Sequence, residues 1–371
     1  MLFPGQVYDR YSSIMSNLIN YTAGAQGIEN SKVVVGACIA VNNTVHTQTS
    51  NLNYDDARGG IINHLVQSNS TEILSMADLY LTIELESNIK EEIHALVKSG
   101  IKRCFIASLA TDPKLRGQFI EKLRSLGVEV ISGVEEDSAY KLNQGFYKSF
   151  NQHKPYIGVV GSIDMCGNII NNLYDKREAG HDELFNAKQK LRKRYSGILT
   201  DIETIRTYNP LLTYYTQHKA DKTIIIYDQD LSIVENANIF KNNNNIAITI
   251  ITSIKNKKSN KQEYLSDVHG VSFIYNNNTQ FNLKSILRDL LSINVTSVLV
   301  ESCGILFKYF FASQETDERI LTVEPVIRPA NNDYENISSL ISRNQKLIMS
   351  INSIEQKDRC IHCHITNIVS P

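Results

Sequence analysis

Apolar runs separated by helical stripes dominate the first part of the chain. Four runs of strand length lie at residues 33–41, 79–83, 101–108 and 128–131. Two stretches between them, 89–98 and 115–126, carry apolar side chains at helical spacing and are followed by Gly100 and Gly127, residues typical of helix ends. Strands that alternate with single-helix crossovers predict an α/β sandwich with parallel neighbouring strands.

A polar connector at residues 149–153 separates this part from a second set of elements. Apolar runs of strand length follow at residues 156–163, 197–199, 223–227, 246–251, 271–275 and 295–301. Helical patterns lie at residues 184–194, 283–291 and 305–311. A length of 371 residues favours two domains, since a domain typically takes about 150 residues. We therefore predict one domain at residues 1–150 and another at residues 151–371.

Composition and charge restrict the partners of this chain. Lys and Arg number 38 against 39 Asp and Glu, and this net charge of −1 argues against nucleic acid or an anionic membrane as a partner. No apolar run approaches the roughly 18 residues of a membrane span, and no export signal is visible at the start. The six cysteines are too scattered for a disulfide framework. We expect a cytoplasmic protein in which the basic residues 188–194 form a solvated helix face.

Several short motifs carry a resemblance to a known family. They are Val35-Gly36-Ala37, Ala95-Leu96, Gly100-Ile101-Lys102-Arg103, Gly133-Val134-Glu135-Glu136, Leu142-Asn143-Gln144-Gly145-Phe146, Lys154-Pro155-Tyr156 and Leu299-Val300-Glu301-Ser302-Cys303-Gly304. In order and spacing they resemble the bifunctional riboflavin-biosynthesis deaminase/reductase over nearly the whole chain. The resemblance implies a cytidine-deaminase-like α/β sandwich followed by a dihydrofolate-reductase-like α/β domain.

The residues that carry deamination in that family are replaced here. The family has one His and two Cys as zinc ligands and a Glu that moves the proton of the zinc-bound water. Aligned on this sequence, the His falls on Gly59, the Glu on Ile61, and the two cysteines on Glu86 and Glu92. Gly and Ile can neither ligate a metal nor shuttle a proton, so we predict that zinc and deaminase activity are both absent.

Two other groups of residues have the spacing of metal ligands. His64, Glu86, Glu92 and His94 could replace the zinc site, but acidic residues in the first turn of a helix are favoured by the helix dipole alone. In the second group, Cys360, His362 and His364 would share one face of a strand and could converge on an ion. A terminal β-strand explains this alternation, and we favour that interpretation. Cys38 and Cys104 are expected to be buried, inert thiols.

The best candidate for binding a phosphate is the strand–turn–helix at residues 295–311. A tight turn of small residues before a helix lets backbone N–H groups face a phosphate. In the resembling family this turn is Glu-Gly-Gly and contacts NADP, which implies cofactor contacts for Thr204, Glu301, Ser302, Cys303 and Gly304. Ser302 and Cys303 replace glycines and narrow the approach, which weakens the binding. The alternative is an ordinary strand–helix junction.

The positions that bind substrate in the family are only partly retained. A Gly-rich segment of the family is Asp201-Ile202-Glu203 here, and its Asp pair is Tyr208-Asn209, which leaves Asn209 as a substrate-side candidate. The family's Lys and Arg fall on Val160 and Tyr215, its Ser-Leu-Asp-Gly on Asp164-Met165-Cys166-Gly167, and residues 178–181 do not match its Trp-Ile-Thr-Gly segment. Because a phosphate dianion needs charged donors, affinity for a phosphorylated substrate should fall.

Two functions are compatible with these residues. The first is a divergent NADPH-dependent 5-amino-6-(5-phosphoribosylamino)uracil reductase with an inactive pyrimidine deaminase domain. No catalytic residue is assigned, because hydride delivery depends mainly on how cofactor and substrate are placed. The second is a non-catalytic pseudoenzyme that acts as a regulatory or scaffold partner in the riboflavin pathway. A different nucleotide substrate is a third possibility, and the resemblance implies a homodimer through the reductase-like domain.

Overall fold

A computed structural model describes residues 4–24, 33–50, 60–85, 90–170, 189–212, 222–241, 246–277, 282–327, 336–340, 349–357 and 360–367. These residues form two compact units: unit 1 contains the described residues up to Asn151, and unit 2 those from Gln152 onwards. Each unit combines one β-sheet with α-helices, which confirms the predicted α/β class. No helix in the described part of the chain is both long enough and apolar enough to cross a membrane.

In its described part, unit 1 contains a five-stranded sheet and the helices around it. The strands are β1 (Gly36–Val41), β2 (Thr44–Ser50), β3 (Asp78–Ile83), β4 (Arg103–Ser108) and β5 (Glu129–Ser132), in the order β2-β1-β3-β4-β5. The helices are α1 (Pro4–Ala23), α2 (Ile61–Gln67), α3 (Thr71–Met76), α4 (Lys90–Ser99), α5 (Gln118–Ser125), α6 (Glu136–Leu142) and α7 (Gln144–Gln152).

The prediction of parallel neighbours is correct for part of this sheet and wrong for the rest. Strands β3, β4 and β5 are parallel, but β1 is antiparallel to both β2 and β3. The reason is a two-residue hairpin at Asn42 and Asn43, which both have positive φ (48° and 69°), as such tight hairpins require. Strand β2 alternates exposed and half-buried residues before its last two buried ones, so it does not stand out as an apolar run.

The sheet of unit 1 is buried on both faces. On one face, Ile39, Leu79 and Ile106 pack with side chains of α2, α4 and α5. On the other face, Tyr80 and Phe105 pack with side chains of α1 and α6, and their stacked rings have centroids 4.7 Å apart. Because successive strand residues point to opposite faces, burial on both sides produces the continuous apolar runs seen in the sequence.

The described part of unit 2 has a nine-stranded sheet. The strands are β6 (Tyr156–Asp164), β7 (Gly197–Asp201), β8 (Thr223–Tyr227), β9 (Ala247–Ser253), β10 (Ser272–Asn276), β11 (Ser297–Glu301), β12 (Glu318–Glu324), β13 (Met349–Lys357) and β14 (Cys360–Asn367), in the order β10-β9-β8-β7-β11-β6-β12-β14-β13. The helices are α8 (residues 189–194), α9 (Ile202–Tyr208), α10 (Asn260–His269), α11 (Leu283–Ser292) and α12 (Ile305–Ala312).

The order of the strands places two helix starts side by side. From β10 to β12, all neighbouring strands are parallel, and β11 is inserted between β6 and β7. The carboxyl ends of β7 and β11 therefore lie next to each other, at Asp201 and Glu301. Helix α9 follows Asp201 directly, and α12 follows Glu301 after a three-residue turn. In open α/β sheets, ligands bind at this kind of edge.

The basic residues of helix α8 were predicted to form a solvated face, and this prediction is wrong for two of them, Arg192 and Arg194. Arg192 is buried and makes two hydrogen bonds to Glu301 at 2.9 and 2.6 Å. Arg194 lies 3.2 Å from the carboxylate of Glu318. The ammonium of Lys222 donates to three backbone carbonyl oxygens at the end of this helix, and burial lowers the pKa of Lys222 well below its ordinary value. The acidic partners stand more than 100 residues further along the chain, so sequence-local reasoning misses them.

The buried carboxylate of Glu318 makes the stability of unit 2 depend on pH. Burial alone would raise the pKa of Glu318, but the contact with His364 and the charge of Arg194 outweigh it, so the pKa lies below its ordinary value. A carboxylate with a depressed pKa stabilises the folded state above its unfolded pKa of about 4.3 and loses that contribution as the pH falls through the folded pKa. We predict that Glu318→Gln flattens the fall in urea-unfolding free energy below this pH.

The matched control is Glu315→Gln, because Glu315 pairs with Lys154 at the surface and its side chain is 29% exposed. Exposed ion pairs contribute little to stability. The Glu315 variant should follow the wild-type pH profile. An unchanged profile in the Glu318 variant would contradict the prediction.

Candidate functional site

The turn between β11 and α12 is the centre of the candidate site. It contains Ser302, Cys303 and Gly304, and Thr204 from the first turn of α9 lies against it. The backbone N–H of Cys303 donates to Thr204 Oγ1 at 2.9 Å, and the same hydroxyl lies 3.5 Å from Cys303 Sγ. Five residues were predicted to contact the cofactor. The structure brings four of them together at this turn, namely Thr204, Ser302, Cys303 and Gly304.

Asp201 occupies the centre of this arrangement, although the sequence analysis gave it no role. It is the last residue of β7 and the N-cap of α9, and it is 1% exposed. Its Oδ1 accepts hydrogen bonds from the backbone N–H and the hydroxyl of Thr204, at 3.0 and 2.6 Å. Its Oδ2 accepts from the Ser302 hydroxyl at 2.6 Å and from the Leu306 N–H at 3.3 Å. One carboxylate thus serves the starts of α9 and α12 together.

Ser302 takes two further N–H groups of the same turn. Its hydroxyl oxygen accepts from the backbone N–H of Gly304 at 3.0 Å and from that of Phe307 at 3.3 Å. The N–H groups at a helix start lack intrahelical partners, and they are the donors that hold a phosphate where one binds. At the start of α12, internal oxygens accept from Cys303, Gly304, Leu306 and Phe307.

The need for glycine at position 304 comes from space and not from backbone angle. Its φ is −105°, and Ser302 and Cys303 also lack positive φ, so side chains at 302 and 303 cause no backbone strain in this turn. A Cβ on Gly304 would collide with carboxylate oxygens of Asp201 and Glu203. Two acidic side chains therefore press against the turn. Burial raises the pKa of the Cys303 thiol, and the nearby carboxylates of these two residues act in the same direction.

Glu301 is engaged on the other side of β11 by Arg192. Both groups are buried, and the two hydrogen bonds between guanidinium and carboxylate form a bidentate pair. This pair fixes α8 against the sheet, so a structural role accounts for the carboxylate. The contact predicted between Glu301 and a cofactor remains a prediction.

The substrate-side candidate is not near the turn along its helix. Asn209 caps the opposite end of α9 with φ 44°, and its side-chain oxygen accepts from the backbone N–H of Asn238 at 2.7 Å. Val160 is buried in an apolar cluster with Tyr156, Tyr195 and Leu299. Asp164 closes a turn by accepting the N–H groups of Cys166 and Asn168, among others. Tyr215 and residues 178–181 lie outside the described residues.

In unit 1, helix α2 begins at a position aligned with the family's deaminase site, and its buried side chains are apolar. Ile61 begins α2 and packs with Ile62 and Leu65 in the core, whereas His64 and His94 are exposed. Gly59 and Glu86 lie outside the described residues, as does the side chain of Glu92. Among the side chains that are described, no three His, Cys, Asp or Glu are grouped to hold a metal ion.

The histidines of the C-terminal strand have separate partners. His364 contacts the carboxylate of Glu318, and Nδ1 of His362 lies 3.2 Å from the hydroxyl of Thr322. The side chain of Cys360 is outside the described part of the chain. The predicted terminal strand is confirmed as β14, which pairs with β12 on one side and β13 on the other.

Comparison with known proteins relates both units to riboflavin biosynthesis. Residues 171–330 match the family model described as the RibD C-terminal domain. The riboflavin biosynthesis protein RibD of Aquifex aeolicus is 28% identical over 255 residues, which cover 68% of this chain and 70% of that protein. RibD of Bacillus amyloliquefaciens is 23% identical over 317 residues, covering 84% of each chain.

A solved structure shares the fold over both units. It is a diaminohydroxyphosphoribosylaminopyrimidine deaminase/5-amino-6-(5-phosphoribosylamino)uracil reductase from Thermotoga maritima, with a TM-score of 0.78 at 21% identity, covering 97% of this chain and 99% of that one. This likeness confirms the predicted fold, a deaminase-like α/β unit followed by a reductase-like α/β unit. The chain is a RibD-like protein, and its second half carries a RibD-type reductase domain.

The pair of Arg192 and Glu301 provides a test of the structural role assigned to Glu301. Arg192→Met leaves a buried carboxylate without its main partner, and we expect a loss of about 3–5 kcal/mol in the free energy of unfolding of unit 2. The double variant Arg192→Met/Glu301→Leu removes both charges and should recover most of that loss. Urea unfolding followed by circular dichroism measures both. Equal losses in the single and double variants would show that the pair is not what holds α8.

Proposed function

We propose that this RibD-like chain acts in riboflavin biosynthesis as a non-catalytic partner, with neither of the two reactions retained. We assign the deaminase-type half to residues 1–150 and the reductase-type half to residues 151–371. The observation that supports the proposal most directly is the carboxylate of Asp201 at the turn, because it stands where an anionic ligand would have to be held. The first half supplies an independent argument.

Deamination requires a proton-shuttling carboxylate, and Ile61 stands at the aligned position. Its side chain is 6% exposed and belongs to the apolar core of unit 1. A hydrocarbon side chain neither transfers a proton nor orients a water for attack on the pyrimidine ring.

Zinc does not fit the residues described in unit 1. Catalytic zinc sites in cytidine-type deaminases need thiolate and imidazole ligands that converge on one point. The described thiols of this unit, Cys38 and Cys104, are buried in clusters on opposite faces of the sheet. Burial also raises the pKa of both thiols, that of Cys38 to about 12, so neither is a thiolate at neutral pH.

We predict that the purified full-length protein contains less than stoichiometric zinc and releases no ammonia from the diaminopyrimidine substrate of this pathway. Elemental analysis and an ammonia assay measure the two quantities. A further variant, Ile61→Glu, should still be inactive, because the ligand positions at Gly59, Glu86 and Glu92 remain without imidazole and thiolate. Stoichiometric zinc together with ammonia release by the wild type would overturn this part of the proposal.

The second candidate function is that of an NADPH-dependent 5-amino-6-(5-phosphoribosylamino)uracil reductase. The match of residues 171–330 to the RibD C-terminal domain favours it, as does the position of Thr204 against the turn. In this alternative, Thr204, Glu301, Ser302, Cys303 and Gly304 would contact NADP, Asn209 would lie on the substrate side, and the reductase-type halves would form a dimer. The acidic residues at the turn weigh against it, since a diphosphate would meet Asp201 and Glu203.

The two candidates differ in one measurable property, which is the binding of NADPH. For the non-catalytic protein we expect no saturable binding in a calorimetric titration up to about 1 mM NADPH. Saturable binding by the wild type that Gly304→Val abolishes would instead support the reductase, because a side chain at this position would block the turn. Oxidation of NADPH that depends on the pyrimidine substrate would settle the question in the same direction.

A further inference from the structure

We infer that Asp201 is an internal substitute for a ligand anion, and that its side chain is the main group that keeps the paired starts of α9 and α12 closed to phosphate. This inference deepens the proposed non-catalytic role and rests on it. It concerns the atoms that close the site and the change that would open it.

The first step is that the carboxylate is saturated by protein donors. Its two oxygens accept four hydrogen bonds, two from Thr204, one from Ser302 and one from the Leu306 N–H. A carboxylate offers about four lone-pair positions. Protein donors therefore fill all the acceptor positions of the Asp201 carboxylate without water or ligand, which agrees with its burial.

The second step concerns the sign of the charge. A helix start carries a partial positive charge that favours one anion nearby. The carboxylate of Asp201 supplies that anion. The Glu203 carboxylate lies beside the same turn, close enough that a Cβ on Gly304 would collide with it. A phosphate brought to the same donors would face the buried carboxylate of Asp201, where screening by water is weak, and the exposed carboxylate of Glu203 beside it.

The third step is that Ser302 depends on Asp201 for its orientation. The Ser302 hydroxyl donates to Asp201 Oδ2 and, through its lone pairs, accepts from Gly304 and Phe307. Without the carboxylate, this hydroxyl is free to donate to another acceptor. Removal of one side chain would thus release four donors, which are the Leu306 N–H, the Thr204 N–H, the Thr204 hydroxyl and the Ser302 hydroxyl.

The experiment compares variants at position 201 in the full-length protein. Asp201→Gly removes the carboxylate and opens its volume, and Asp201→Ser removes it while keeping a hydroxyl able to cap α9. Asp201→Asn is the matched control for volume, because it removes the charge but still fills the space that a phosphate would need and keeps an acceptor for Thr204. The probe is inorganic pyrophosphate, titrated by calorimetry and by its effect on the melting temperature.

We expect the Gly and Ser variants to melt at lower temperature than the wild type, and to bind pyrophosphate at least about tenfold more tightly than the wild type and the Asn variant. Pyrophosphate should raise the melting temperature of the Gly and Ser variants only. The Ser variant keeps the test valid where the Gly variant does not fold.

Two results would overturn the inference. One is a folded Ser or Gly variant that binds pyrophosphate no better than the wild type, and the other is wild-type protein that binds it as tightly as the variants. Neither result bears on the absence of reductase activity, which is decided separately by oxidation of NADPH in the presence of the pyrimidine. The failure of this inference and the failure of the proposed function are therefore distinguishable.

Discussion

Backbone N–H groups at the start of a buried helix must find acceptors, and in unit 2 this requirement is met for two helices by Asp201. The carboxylate lies at the end of β7, next to the end of β11, because the sheet inserts β11 between β6 and β7. In a protein that binds phosphate at such an edge, the ligand satisfies those N–H groups. Here the chain supplies the acceptor itself, so the turn is complete in the absence of a ligand.

The other buried charges of unit 2 follow the same rule. Arg319 donates to the carbonyl oxygens of Phe311 and Ser313 at the end of α12, at 2.8 and 2.7 Å. Helix α12 therefore has an acidic group at its start and a cation at its end, which is the arrangement that the helix dipole favours. Lys222 does the same for the end of α8. Because each of these charges has an internal partner, contacts within the chain position the helices around the candidate site.

The sequence predicts the elements of this site better than it predicts the contacts among them. Strand β8 at residues 223–227 and the start of α12 at Ile305 match the expected bounds, and the turn at 302–304 is where the motif places it. Asp201 was missed because its role depends on Ser302 and Leu306, about 100 residues away. Its spacing to Thr204 is that of a helix N-cap, so the cap was visible locally, whereas its second helix was not. The Asn42-Asn43 pair is a similar local signal, since Asn tolerates the positive φ that a two-residue hairpin requires, and such a hairpin makes the strands it joins antiparallel.

Under the proposed non-catalytic function, each half has closed its site in a way that suits its environment. In the core of unit 1, where an ionisable group without a metal would cost energy, an apolar Ile61 fills the position. At the helix starts of unit 2, where an apolar group would leave N–H donors unsatisfied, an acidic Asp201 fills it. Functional sites commonly hold strained or unsatisfied groups whose removal stabilises the fold, at the expense of activity. If the proposed non-catalytic partner is selected for a stable fold rather than for ligand binding, replacements of opposite polarity, each matched to its surroundings, are the expected outcome.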